Sequence, residues 1–114
     1  MEKTYLDFNG KAIYFTHVGD YCWISIKSIC EALEADYKTE YQKIKSDILY
    51  DTLEVHYILN TDNQYEKIIC MRRMWVLGWM LSVDMPDYMK KGDAQKLLTM
   101  VHKNHFYLTI DMVS

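Results

Sequence analysis

The sequence is short of the residues that organise most secreted or metal-held small domains. Its three cysteines, Cys22, Cys30 and Cys70, are odd in number and widely spaced, with no C-x-x-C pair. Such a pattern supplies neither a disulfide framework nor a four-thiolate zinc site, and it suits a reducing cytoplasm. The four glycines stand apart at Gly10, Gly19, Gly78 and Gly92, so neither G-x-x-x-x-G-K-[ST] nor G-x-G-x-x-G is present to cradle a nucleotide cofactor. The longest apolar stretch, Met74 to Leu81, falls far below the ~20 residues that span a bilayer. The first residues mix charged and apolar side chains without a basic start and an apolar run, so they do not read as a secretory signal. Positive charge is scarce as well: 13 Lys and Arg face 16 Asp and Glu, a net charge of −3. The basic excess of a dedicated nucleic-acid binder is missing, and any contact with DNA needs a local basic patch.

What is present is apolar and aromatic. Half of the 114 residues are hydrophobic, with 3 Trp, 10 Tyr and 3 Phe. That is enough for one packed core, so residues 1–114 are expected to form a single domain. Thr4–Phe8 and Lys11–His17 are β-rich runs joined by Asn9-Gly10, the dipeptide of a type I′ hairpin turn. Gly19-Asp20 makes a second turn before a short strand at Tyr21–Ile24. The period then changes. Ile26, Ile29, Cys30 and Leu33 make one helical stripe with Ser25 as its N-cap, and Asp36 caps a second helix through Tyr37, Tyr41, Ile44 and Ile48.

Leu53, Val55, Tyr57 and Leu59 alternate with Glu54, His56, Ile58 and Asn60, which predicts a half-buried strand. A polar turn, Asn60–Gln64, leads to a second strand at Tyr65–Met71. Met74–Val83 is apolar nearly all round, as in a central core helix or a subunit contact. Asp84-Met85-Pro86 breaks it, and Asp93 is expected to cap a last helix through Ala94, Leu97, Leu98, Val101 and His105. The fold class is therefore α+β: a small antiparallel sheet of β-hairpins packed against about four helices.

Several of these segments match a known pattern. Phe8-Asn9-Gly10-Lys11-Ala12-Ile13 and the strand from Tyr21 to Lys27 lead into Ile29-Cys30-Glu31-Ala32-Leu33. Asp36-Tyr37-Lys38, Gln42-Lys43-Ile44-Lys45 and, further on, Trp79-Met80-Leu81 follow. Together they resemble the N-terminal domain of phage antirepressors, a family related in shape to the Bro-N domain of viral regulators. The chain departs from that pattern at Glu34, where the family has glycine, and at Glu40, where it often has glutamine. The resemblance implies a phage or prophage origin, a bacterial host cytoplasm, and transcriptional control by binding a repressor, DNA or both. It also implies that a further C-terminal domain commonly accompanies this one.

Candidate contacts follow from residue type and spacing. Lys38, Gln42 and Lys45 lie at i, i+4 and i+7 opposite the tyrosines, where they can reach phosphates and base edges; with the preceding helix this reads as a helix-turn-helix. The alternative is a plain solvated face, because Glu40 and Asp47 interrupt the charge. Arg72-Arg73 can grip phosphate or a partner carboxylate, or serve as surface ion-pairing residues at an element edge. Trp75, Trp79 and Met80 belong either to the core or to a partner surface such as a homodimer interface. His102 and His105 share a helix face without a third ligand at suitable spacing, so no metal, and equally no cofactor, is expected. No nucleophile arrangement is seen, and the chain is expected to bind rather than catalyse. The competing reading is a domain that sequesters a host or phage protein without touching DNA, which the net acidity favours.

Overall fold

The computed structural model describes residues 4–46, 51–103 and 106. Strands β1 (Tyr5–Phe8) and β2 (Lys11–Val18) form the opening hairpin. Asn9 and Gly10 both take positive φ, 53° and 81°, as the type I′ turn requires. A second turn through Gly19 leads to β3 (Tyr21–Ser25), which passes directly into helix α1 (Ile26–Ala32). The Ser25 hydroxyl caps that helix, accepting the Ser28 amide at 3.1 Å.

A four-residue corner, Leu33 to Asp36, joins α1 to α2 (Tyr37–Lys45). Glu34 there has φ 56°, in the left-handed region. The Ala35 amide donates to the Cys30 carbonyl at 2.8 Å and the Glu34 amide to the Glu31 carbonyl at 3.3 Å, closing the helix as a Schellman motif. Asp36 then caps α2 by accepting the Thr39 amide at 3.1 Å.

Next come β4 (Leu53–Leu59) and β5 (Tyr65–Arg72), followed by α3 (Arg73–Met80), a short α4 (Asp87–Lys90) beyond Pro86, and α5 (Asp93–His102). The described helices thus number five, against about four expected, because the stretch after Pro86 winds one turn of its own. Asp93 is the first residue of α5 and makes no side-chain cap, the N-cap position being Gly92. His105, Ile48 and Asp47, the second carboxylate weighed against the basic stripe of α2, lie outside the described residues.

The strands make one antiparallel sheet in the order β1-β2-β3-β5-β4. Strand β3 stops at Ser25, so it pairs with β5 only from Cys70 to Arg72. Beyond that point the two hairpins are tied by side chains instead. Thr4 Oγ1 donates to the Leu59 carbonyl at 2.9 Å, and the Tyr14 hydroxyl accepts the Thr61 amide at 3.2 Å.

The main core lies between one sheet face and the helices: Ile13, Phe15, Ile24 and Met71 meet Ile29, Leu33, Val76, Trp79, Leu97 and Val101. Phe106 closes it, edge-on to Phe15 with ring centroids 5.2 Å apart. A smaller cluster of Trp23, Ile58, Ile68 and Cys70, flanked by Tyr14, occupies the opposite face. That second cluster corrects the expected polarity of β4. Its inward set is Ile58 with half-buried His56, while Val55 and Tyr57 face solvent. The alternation was legible, but which face gained cover depended on Trp23 of a different strand, whose ring lies 5.1 Å from that of His56.

Candidate nucleic-acid interface

Helix α2 carries three of the residues singled out by spacing, Lys38, Gln42 and Lys45, and all are exposed. Thr39, Lys43 and Ser46 stand exposed among them. Glu40 does not belong to this surface. It is only 1 % exposed, because Tyr37, Glu40, Tyr41 and Ile44 recur at i, i+3, i+4 and i+7 and form the inward stripe. Its carboxylate accepts the Asp84 amide at 3.2 Å and lies 3.2 Å from Lys43 Nζ. The same ammonium donates to the Ser82 carbonyl at 3.0 Å and lies 3.4 Å from Asp84 Oδ2. Glu40 and Lys43 therefore clamp α2 to the segment after α3: Oε2 accepts both the backbone donor and the ammonium, while Oε1 lies near the cation without a hydrogen bond of its own.

With Glu40 turned inward, the described solvent face of α2 past its Asp36 cap bears only cationic and neutral polar side chains. Neither Lys38 nor Lys45 makes an ion pair among the described residues. Sequence reasoning placed Glu40 on the wrong side of the helix. The available signal was its position on the tyrosine stripe, together with the neutral glutamine of the resembled family.

The arginine pair has other employment. The Arg72 guanidinium lies 3.8 Å from the centroid of the Tyr21 ring. Arg73 Nη1 donates to the Val101 carbonyl at 2.9 Å and the His102 carbonyl at 3.3 Å, capping the C-terminus of α5. Among the described residues neither arginine shares a partner with Lys38 or Lys45, so no contact joins the four into a single basic stripe.

Of the three residues weighed as partner contacts, Trp79 (2 % exposed) and Met80 are buried in the main core. Trp75 is 47 % exposed. Met74 and Leu81, from the same apolar segment, are exposed as well. All three cysteines are free and buried, and burial pushes each thiol up to about 12. Among the described residues, no group of three His, Cys, Asp or Glu side chains could hold a metal ion, and no helix is long and apolar enough to cross a membrane.

A small α+β domain with a short-cornered helix pair on one sheet face is the class defined by this geometry. The chain belongs to the P22_AR N-terminal domain family, whose model matches residues 4–98. That is the family of phage antirepressor N-terminal domains, and it points to a regulatory role in phage. Comparison with curated proteins and with solved structures gave no match.

Proposed function

We propose that this chain is a non-catalytic, antirepressor-type regulatory module that engages duplex DNA through α2. The inward turn of Glu40 carries the reading, since it clears the one carboxylate from between Lys38, Gln42 and Lys45. Lysines suit phosphate oxygens, and a glutamine between them suits a base edge. The element order supports the same view. Strand β3, helices α1 and α2, then the β4–β5 hairpin with β5 next to β3, follow the order of a winged helix-turn-helix. Helix-turn-helix modules present their second helix to the major groove.

A second reading, sequestration of a repressor without DNA contact, is favoured by the net charge of −3 and by Val55, Tyr57 and Tyr65 exposed on the β4–β5 hairpin. Anisotropy titration of a random-sequence duplex at about 50 and about 200 mM salt separates the two. The variant to compare is Lys38→Ala/Gln42→Ala/Lys45→Ala; Arg72 and Arg73 are left intact because they hold Tyr21 and α5. Salt-sensitive binding is expected in the wild type, with a log–log salt slope smaller by about 2 in the variant for two lost phosphate contacts. Absence of binding at low salt would sink the DNA reading and move the work to purified repressors.

A further inference from the structure

Helix α3 has two unlike sides. Val76, Trp79 and Met80 enter the core, whereas Met74, Gly78 and Leu81 recur at i, i+4 and i+7 on the side facing away from it, flanked by Trp75. Met74 is 67 % exposed and Leu81 80 % exposed, and no charged side chain occurs from Met74 to Leu81. A shallow groove of about 330 Å³, lined by Leu77, Leu81, Leu98, Thr99 and His102, continues this apolar surface towards α5.

Gly78 lies in the middle of the stripe. Its position is exposed, and among the described residues a Cβ built there meets nothing within 4 Å. No contact among the described residues therefore requires glycine, although glycine in a helix interior is less favourable than almost any other residue. The bare backbone leaves a notch between two projecting side chains, Met74 and Leu81.

We propose that this face is the interface with a second copy of the same chain, α3 packing on its counterpart across Gly78 with the edge of α5 alongside. An isologous contact needs knob and hole on one surface, because each copy must offer what the other receives. The stripe supplies both, in Leu81 and Met74 as knobs and the Gly78 notch as hole. Its lack of charge matters equally, since a two-fold axis sets like residues near each other and a charged stripe would oppose itself. The rim is polar, with Gln95, Thr99 and His102 on α5 exposed, in keeping with an apolar centre and a wet border. This surface is separate from the α2 face, and its pairing does not depend on DNA binding.

Sedimentation equilibrium of the whole chain over a roughly hundredfold concentration range tests the pairing. The wild type is expected to reach dimer mass, and Gly78→Gln and Leu81→Glu are each expected to remain monomeric with native circular dichroism. Gly78→Gln is the informative variant, because it improves helix propensity while filling the notch. A wild type that stays monomeric throughout, or a dimer indifferent to both substitutions, overturns the proposal.

Discussion

Glu34 holds a backbone conformation that glycine would hold at no steric cost. A non-glycine residue in the left-handed region costs roughly 1–2 kcal/mol, offset in part by the smaller freedom of its unfolded state. Its carboxylate also accepts the Tyr88 hydroxyl. Glu34→Gly is therefore expected to stabilise the fold by about 0.5–1 kcal/mol in urea denaturation, with Tyr88→Phe as the control that isolates the hydroxyl contact. A loss of stability in the glycine variant would show that the contact with Tyr88 outweighs the strain. Asp36 gives a pH-dependent counterpart. The Thr39 hydroxyl and then the Thr39 amide hold its carboxyl below the usual range. A folded-state pKa below the unfolded value of about 3.8 stabilises the native state above that pH. The contribution is lost as pH falls through the folded pKa. Thermal melts at descending pH should thus show an acid limb that is shallower in Asp36→Asn, which keeps the cap and lacks the titration.

At the scale of the element, α2 and α3 each divide into faces with different tasks, and substitutions should sort accordingly. Trp79→Ala deletes a buried ring and is expected to cost about 3–5 kcal/mol. Trp75→Ala, one turn earlier and half in solvent, should cost well under half as much when measured on the monomer by the same denaturation. Equal losses would contradict the orientation of α3. On α2, Glu40→Gln keeps an acceptor for the Asp84 amide while removing the charge facing Lys43, whereas Glu40→Ala leaves that amide without its partner. The expected costs are about 1 kcal/mol for glutamine and about 2–3 kcal/mol for alanine. Periodicity read these elements well, because side chains three and four residues apart share a face. It could not tell that a charged residue on the inward stripe would find a backbone amide forty-four positions away.

For the molecule as a whole, one sheet with cover on both faces accounts for the burial of all three thiols. Cys22 and Cys30 lie in the main core and Cys70 in the smaller cluster. Because burial pushes each to about 12, Ellman's reagent should leave the native protein essentially unmodified at pH 8 and titrate three thiols in denaturant. The rate in water then reports opening of the core. Fast reaction of one thiol alone would mark local opening on its side of the sheet and contradict the closure of that cluster.

The amino-acid order alone determined the punctuation of this protein. Asn9-Gly10, the Ser25 and Asp36 caps and the Pro86 break act over four residues or fewer, so their physics is complete in the local chain. The α+β class followed from the succession of two-residue and helical periods. Tertiary structure decided which side of each element met the core. It buried Ile58 rather than Tyr57 through contact with the Trp23 cluster, drew Glu40 inward onto Asp84, and committed Arg73 to the end of α5. Each of those outcomes depends on a partner distant in sequence, and chain order does not state what will be brought near.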